Sequence, residues 1–373
     1  MDPTVFVVTW LLAGSMQIPP ASQPAPSGLP AGTYVVSPSP AGSQGDKGGA
    51  APPPTYPAIS LGVLSYLQYD AELKNRSGFN AFDVTRGYIN ITGDLMKNVR
   101  FRITPDVKRA TDGSLAGSLV LRLKYGYAEF DNIGVKASWL RFGSHQTPWL
   151  DFEESINRYR VQGQMFAERE GVIPGSADFG AGYFAPLPGK YGEIQAGVYN
   201  GEGYAQTDTN KYKSVQGRLT IRPFPNGGAI HGLRLSAFYD LGSYAAGRPR
   251  RHGIVMASFE HTNVVATAQW LSATESPLTL APGVEQQRRG YSTFVEVRQG
   301  LEGVAGFFRY DHFNPNIALI DDQDRRTIAG IAYWLKYEKV RVGLVFNDED
   351  VRYGVTVGKP NENRLLVQTH VQF

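Results

Sequence analysis

The feature that most limits the fold of this chain is an alternation of apolar and charged side chains with a period of two residues. Between residues 119 and 130, leucines and tyrosines at every second position share one face: Leu119, Leu121, Leu123, Tyr125 and Tyr127. Arg122 and Lys124 share the opposite face. Because successive side chains of a β-strand point to opposite sides, the pattern predicts a strand with one apolar and one polar face.

The same alternation recurs and predicts an all-β chain of about sixteen strands. Their predicted starts lie near Ile59, Ala81, Asn98, Ser118, Gly134, Asp178, Gly192, Ser214, Gly232, His252, Asn263, Arg289, Gly303, Arg326, Val340 and Arg364. Short turns such as MKN alternate with longer polar connections such as YAAGRPRR, as expected of strands that run up and down between a tight and an elaborated end. Helical spacing occurs only from Leu150 to Arg160, after the fifth strand.

The two faces of the strands favour a membrane barrel over a soluble sandwich. Sixteen strands of a soluble protein would normally split into several domains with separate cores. Here arginine recurs in mid-strand on the polar face, which a packed interior would not tolerate unpaired. Aromatic residues near strand ends fit the girdles of a barrel: Tyr125, Tyr127, Trp139, Trp149, Tyr239, Trp270, Tyr333, Trp334 and Tyr337. We therefore expect an antiparallel transmembrane β-barrel over residues 59–373.

The chain before the predicted barrel differs in composition. An apolar run, Val5 to Gly14, followed by SMQIPPA predicts a secretory signal over residues 1–21. No basic residue precedes Lys47, so a simple apolar tail is the alternative. Residues 22–58 are dominated by Pro, Ala, Ser and Gly, a composition that cannot bury a core, and they predict a disordered linker.

The overall composition excludes several other classes of protein. With no cysteine, the chain has no disulfide scaffold, thiolate zinc site or cysteine nucleophile. A formal net charge of +3 gives no argument for a nucleic-acid partner, and we expect none.

Several segments share a more specific pattern. The run QTPWLDFEESINRYRVQGQMFAEREG (146–171) is followed by VYNGEGY (198–204) and VQGRLTIRP (215–223), and the chain closes on ENRLLVQTHVQF. Together they resemble the phosphate-selective porin O and P family of bacterial outer-membrane proteins. The terminal Phe373 on an alternating strand resembles the signal that such barrels present to their assembly machinery.

The resemblance implies a bacterial outer-membrane location, with membrane lipid and lipopolysaccharide around the barrel. It also implies a sixteen-stranded, usually trimeric porin whose lumen holds an inward-folded constriction loop. The matching loop is Thr147 to Gly171, and the residues expected to line or brace it are Glu153, Glu154, Arg158, Arg160 and Arg169.

Strand parity predicts which basic side chains face the lumen and form an anion path. They are Arg86, Arg100, Arg102, Arg122, Lys124, Arg141, Arg218, Arg222, Arg234, Arg298, Arg309 and Arg341. The acidic side chains predicted on the same side are Asp240, Glu296 and Asp311, so the lumen is expected to be positive. Guanidinium groups match oxyanions bidentately and raise the local anion concentration in a narrow channel. The alternative is that loop carboxylates pair with these arginines and leave little selectivity.

The remaining chemistry favours a non-enzyme without cofactor, metal or catalytic residues. The histidines lie in different strands or turns without a nucleophile signature. We expect His312 beside Asp311 to form a strand-end polar pair, and the acidic run at Asp321, Asp322 and Asp324 to be a solvated loop rather than a calcium site. Glu154 is expected to pair with Arg158 at a spacing of i,i+4.

The leading hypothesis is a passive porin for small hydrophilic solutes, selective for anions such as phosphate or polyphosphate. The rival is an outer-membrane scaffold or adhesin with a plugged lumen, whose Pro-rich N-terminus binds envelope partners. A barrel hydrolase is a third alternative.

Overall fold

The computed structural model describes residues 55–75, 78–111, 113–319 and 322–373. The predicted signal segment and residues 22–54 of the predicted linker lie outside the described residues.

Sixteen antiparallel strands form one closed barrel, in which β1 pairs with β16. The strands are β1 Ala58–Glu72, β2 Asn80–Met96, β3 Val99–Arg109, β4 Leu119–Asp131, β5 Trp139–Gln146, β6 Ala177–Pro186, β7 Gly192–Tyr199, β8 Ser214–Ile221, β9 Leu233–Ala245, β10 Arg248–Glu260, β11 Val264–Glu275, β12 Gln286–Arg298, β13 Gly303–Asn314, β14 Asp324–Tyr337, β15 Val340–Arg352 and β16 Glu362–Gln372. Two short helices, α1 Leu150–Ile156 and α2 Phe166–Arg169, follow β5. The predicted all-β transmembrane barrel, with a short helical segment after the fifth strand, is confirmed.

The predicted polar connection YAAGRPRR is instead part of a long hairpin. β9 continues to Ala245 and β10 begins at Arg248, with a tight turn at residues 246–247. Gly247 adopts a φ of 67°, which glycine tolerates without steric cost. Arg248 and Arg250 point into the barrel, where carbonyl oxygens accept their hydrogen bonds. The polar composition of YAAGRPRR therefore predicts a loop, although the segment forms two paired strands joined by a tight turn.

The two ends of the barrel differ in the length of their connections. The end that holds the start of β1 and the end of β16 also holds the tight turns at 97–98, 261–263 and 338–339. The opposite end carries the long connections 147–176, 200–213 and 276–285. Outer-membrane barrels have short periplasmic turns and longer extracellular loops, so the end with the long connections is extracellular.

A β-bulge in β4 reverses the predicted faces of two tyrosines. Thr104 pairs with Tyr125 and Pro105 pairs with Leu123, which leaves Lys124 as an extra residue. Pro105 has no backbone N–H to donate across the strand pair. Beyond the bulge the alternation is shifted by one residue. Tyr125 and Tyr127 are therefore buried inside the barrel, and the prediction that they share the leucine face was wrong.

The outer face of the barrel is apolar. Large side chains exposed there include Leu61, Phe82, Phe142, Val297 and Ile331. Trp149 and Trp334, predicted to belong to an aromatic girdle, instead lie fully buried inside the barrel. Its neighbours on β14, Tyr333 and Leu335, point outward, and because side chains alternate along a strand Trp334 points inward. None of the helices in the described residues is long and apolar enough to cross a membrane.

Candidate ion path in the barrel lumen

The connection between β5 and β6, residues 147–176, packs inside the barrel against one part of the wall. The ring of Trp149 lies 5.8 Å from that of Phe238 on β9. Tyr159 stacks on Phe307 of β13 with centroids 4.0 Å apart. Phe166 is fully buried. Burial of this apolar surface away from water holds the connection to the wall.

The wall that receives the connection carries apolar side chains at positions that face the lumen. They are Phe238, Ile254, Met256, Val265, Leu271, Ala273, Phe294, Phe307, Phe313, Ile328, Ala332, Trp334 and Val345, on strands β9 to β15. Apolar residues of the strands were predicted to face lipid, so this inward-facing set was not predicted. The available signal was an apolar residue on the polar side of an alternating run, such as Phe238 between Ala237 and Tyr239.

Polar contacts also fix the first half of the same connection to the wall. Arg158 donates through Nε to Glu296 on β12 at 2.7 Å and through Nη1 to the carbonyl oxygen of Leu301 at 2.7 Å. Gln269 on β11 donates to Glu153 at 2.6 Å. Glu153 and Arg158 therefore contact the wall and brace the connection.

Arg160 pairs with Glu154 at 3.1 Å and with Glu168 within the connection. Arg169 pairs with the adjacent Glu170 at 2.6 Å. The predicted pair of Glu154 and Arg158 is not formed, because α1 ends at Ile156 and the chain leaves the helix before Arg158.

Glu153 is a buried carboxyl group that accepts hydrogen bonds from Trp149 and Gln269. Burial raises its pKa to about 7, against the opposing effects of Arg309 and of hydrogen bonds from Gln269 and Trp149. Glu153 lies on α1, in the connection between β5 and β6, and not on a strand that spans the membrane. Near neutral pH, Glu153 is therefore divided between its protonated and ionised forms.

The opposite part of the wall, formed by β1 to β4, carries cations stacked on tyrosines. The Arg86 guanidinium lies 5.5 Å from the ring centroid of Tyr66 and 5.0 Å from that of Tyr88. Arg102 lies 4.4 Å from the ring centroid of Tyr125. Lys124 donates a hydrogen bond to the Tyr88 hydroxyl. Stacking holds these cations in fixed positions without cancelling their charge.

Two bulges in adjacent parts of the wall place Arg86 and Lys124. The register between β1 and β2 shifts at Tyr66/Leu67, where Thr85 of β2 is skipped next to Arg86. Lys124 is itself the extra residue of the bulge in β4. Bulges of this kind re-aim side chains, and here each lies at a cation on the inner face of the barrel.

Seven residues of the predicted anion path have a carboxylate partner. Arg100 pairs with both Glu129 and Asp131, and Arg141 also pairs with Glu129. Arg122 pairs with Asp106, Arg218 with Glu193 and Arg234 with Glu260. Arg298 pairs with Glu296, and Arg309 with Asp311. Arg341 stacks on Trp334 at 4.6 Å, and Arg222 lies half-buried just after β8. Within the part of the chain that the structure describes, Arg86, Arg102 and Lys124 have no carboxylate at ion-pair distance.

The predicted excess of twelve basic over three acidic side chains in the lumen was too large. The bulge at Lys124 turns Glu129 inward, and further carboxylates lie at strand ends that the alternating runs did not cover: Asp106, Glu193, Glu260, Glu275 and Glu349. Five further arginines that point inward were also not predicted: Arg248, Arg250, Arg288, Arg326 and Arg364. The last four pair with carboxylates of the lumen, whereas Arg248 donates to a carbonyl oxygen.

Two smaller predictions concerned polar residues near the extracellular end. Asp311 points inward to Ser292 and Arg309, whereas His312 contacts Gln323 on the other side of the strand, so the predicted pair of Asp311 and His312 does not form. Asp322 accepts a hydrogen bond from the backbone N–H of Thr356 at 2.8 Å, which ties two connections together. No group of three or more candidate metal ligands occurs among the described residues, and Asp321 lies outside them.

Comparison with known proteins identifies the fold. No protein-family model and no curated protein matches the chain. Among solved structures, it is similar to the anion-selective porin from Comamonas acidovorans, with a TM-score of 0.59, 12% identity, and coverage of 85% of this chain and 100% of that one. It is also similar to the outer-membrane channel DcaP of Acinetobacter baumannii (TM-score 0.56, 12% identity, 85% and 97% covered) and to OmpT of Vibrio cholerae (0.58, 8%, 86% and 99%).

These identities are low, so the similarity concerns the fold. The narrower resemblance to the phosphate-selective porin O and P family stays a prediction. The closed antiparallel barrel, its apolar outer face and its structural neighbours together place the chain in the bacterial outer membrane with a porin fold.

Proposed function

We propose that the chain is a passive outer-membrane porin that favours small hydrophilic anions. The observation that carries the proposal is the group of Arg86, Arg102 and Lys124, which lack carboxylate partners among the described residues while the other strand arginines of the path are largely paired. Unpaired cations in a narrow, partly desolvated channel attract anions and repel cations.

The paired arginines have a different role in this proposal. An ion pair presents little net charge to a passing solute, and its geometry stiffens the wall and holds the connection 147–176. Selectivity therefore rests on three side chains instead of twelve. Glu154 and Glu168 pair with Arg160 in the connection, so Arg86, Arg102 and Lys124 are left as weak, reversible sites for a passing anion.

Phosphate or polyphosphate is the solute that the sequence resemblance favours. One of the similar structures is described as an anion-selective porin, and one OmpT structure is described as a trimer form. We extend both properties to this chain as part of the proposal, together with recognition of Phe373 by the outer-membrane assembly machinery.

The rival function, a scaffold or adhesin with a plugged lumen, is favoured by one observation. Lys124 and Arg160 are only 1% and 6% exposed, so the lumen is tightly occupied around them. In this case the predicted Pro-rich linker would be the part that binds envelope partners.

Reversal potentials in planar bilayers under a potassium chloride gradient separate the two functions. We expect conducting channels with an anion-selective reversal potential in the wild-type protein. The triple variant Arg86→Gln, Arg102→Gln and Lys124→Gln should lose most of that selectivity, whereas the exposed control Lys211→Gln should keep it. A wild-type channel without anion preference contradicts the proposal, and absence of conductance from correctly folded barrels favours the plugged scaffold.

A further inference from the structure

The connection between β7 and β8, residues 200–213, is a second segment that reaches into the barrel from its extracellular end. Its Tyr204 packs against Tyr125 and Tyr127 on the inner face of β4. The Tyr204 hydroxyl lies 3.4 Å from Oδ2 of Asp106 on β3. Three strand positions separate β4 from β7 around the barrel, so this side chain covers a part of the wall far from its own strands.

Arg122 on β4 holds the hydroxyl group of Tyr204. Its Nη2 donates a hydrogen bond to that hydroxyl, and its guanidinium lies 4.6 Å from the centroid of the Tyr204 ring. Asp106 lies 3.6 Å from the same nitrogen, which is too far for a direct hydrogen bond. The buried Nε of Arg122 has no hydrogen-bond partner among the described residues. Tyr204 is therefore a closer partner of Arg122 than the carboxylate is.

This contact lies on the extracellular side of two cations of the proposed ion path. β4 enters the barrel wall from the extracellular end, so Arg122 lies nearer that end than Lys124. Arg102 lies still further towards the tight-turn end, where it is the cross-strand partner of Tyr127. A solute that enters from outside therefore meets Tyr204 and Arg122 before it reaches Lys124 and Arg102.

Three tyrosine rings surround the ammonium group of Lys124, which is 1% exposed. The ring centroids of Tyr88, Tyr125 and Tyr204 lie 4.9, 5.3 and 5.4 Å from its Nζ. Tyr88 and Tyr125 belong to β2 and β4, and strand pairing fixes their backbone. Tyr204 belongs to a connection, so its ring can leave Lys124 while every strand pair stays intact.

The backbone around Tyr204 is anchored, so the ring is the part that moves. The N–H of Tyr204 donates to the carbonyl oxygen of Ala177 at 3.0 Å, and the N–H of Gly201 donates to Asp178 at 2.7 Å. With these contacts kept, the ring leaves the lumen by rotation about its own side-chain bonds. The hydrogen bond from Arg122 is the polar contact that opposes this rotation.

We propose that Tyr204 is a gate residue, which closes the route from the extracellular end of the lumen to Lys124 and Arg102. In the closed state Arg122 holds the hydroxyl group. In the open state the ring turns away from Lys124, and Arg122 is left as a further cation at the entrance. The gate determines how readily a solute reaches the cations, whereas their charge determines which sign of solute is favoured. The inference rests on the proposed passage of solutes through the lumen.

The accessibility of position 124 tests the gate without using the charge of the solute. The chain has no cysteine, so Lys124→Cys gives the full-length protein a single thiol. A small neutral methanethiosulfonate reagent is added to intact cells of a host without other porins, and mass spectrometry of the purified protein follows the modified fraction. Addition of Tyr204→Ala should speed modification at least about tenfold, because the hydrogen bond from a charged group and the cover of the ring are both lost.

Tyr212→Ala is the matched control, since it removes the same ring from the same connection. The N–H of Tyr212 donates to Asn210 within that connection, and its variant should leave the rate unchanged. Arg122→Met keeps Tyr204 but removes the guanidinium that holds it, and should also speed modification. Heat-modified gel mobility confirms that each variant forms a barrel. Equal rates with Tyr204→Ala and Tyr212→Ala, or an unchanged rate with Arg122→Met, would overturn the gate.

Conductance measurements separate failure of the gate from failure of the proposed anion preference. In potassium chloride, Tyr204→Ala should conduct more than the wild type and keep its reversal potential, since Arg86, Arg102 and Lys124 are unchanged. A wild type without anion preference contradicts the proposed function, but the gate is still supported if Tyr204→Ala speeds modification of position 124. A conductance of Tyr204→Ala equal to that of the wild type would overturn the gate whatever the selectivity.

Discussion

Arg158, on the connection inside the barrel, donates to Glu296 on β12 at 2.7 Å, and both side chains are nearly inaccessible to water. The same carboxylate accepts a hydrogen bond from Tyr159 at 2.8 Å and pairs with Arg298 at 3.0 Å. One buried carboxylate thus joins the connection to the wall. Removal of one partner of such a buried pair is strongly destabilising, because the other charge is then left buried and unpaired.

We therefore predict that Glu296→Gln releases the connection from β12. The expected loss is about 3–5 kcal/mol in the free energy of docking the connection, since Arg158 loses its carboxylate in a dry site. Limited proteolysis within residues 147–176 should become faster, and single-channel current noise should rise. The exposed Glu302→Gln, at the neighbouring turn, is the matched control and should behave as wild type. An unchanged cleavage rate in Glu296→Gln would contradict the bracing role.

A second prediction concerns the charge of Lys124 alone. Lys124→Met keeps a flexible, unbranched side chain but removes the ammonium group, and should shift the reversal potential towards zero by lowering the anion preference. Lys124→Arg should preserve the preference if charge is what matters. The permeability ratio of chloride to potassium is the measurement, and equal ratios in the wild type and Lys124→Met would exclude Lys124 from the selective group.

The pattern of the sequence was sufficient for the strands but not for the faces of the side chains near bulges. Alternation located sixteen strands, because every spanning strand has lipid on one side and water on the other. It failed at Tyr125, since one extra residue at Lys124 reverses the parity of everything beyond it. Pro105, which lies opposite the bulge on β3, was the residue in the sequence that could have indicated this bulge.

The charge pattern of the lumen was less accessible to sequence analysis for a different reason. Whether Arg218 is free or paired depends on Glu193, which lies on the neighbouring strand and in a different part of the sequence. Such pairs follow from the strand register, which the sequence does not state. The apolar contact of Trp149 with Phe238 likewise depends on the fold of the connection into the barrel.

A third prediction follows from the apolar docking of the connection. Phe166 is fully buried and lies edge-on to Phe313 with centroids 6.0 Å apart. Phe166→Ala should weaken docking by about 3–5 kcal/mol, through lost burial and the cavity that remains. Denaturant-dependent proteolysis of the connection measures this loss. Val355→Ala, at a 76% exposed position, should have almost no effect, and equal behaviour of the two variants would contradict the packing role.

The fourth prediction is a pH dependence of the same docking. Burial raises the pKa of Glu153 to about 7, above its value of 4.5 in the unfolded chain, so the docked connection binds more protons than the undocked one. The contribution of protonated Glu153 is therefore fully present below pH 4.5 and is lost as the pH rises through 7. Proteolysis of residues 147–176 should accelerate over this interval in the wild type. Glu153→Gln, which keeps a neutral side chain at every pH, should remove that part of the dependence, and an unaltered pH profile in this variant would show that another group titrates.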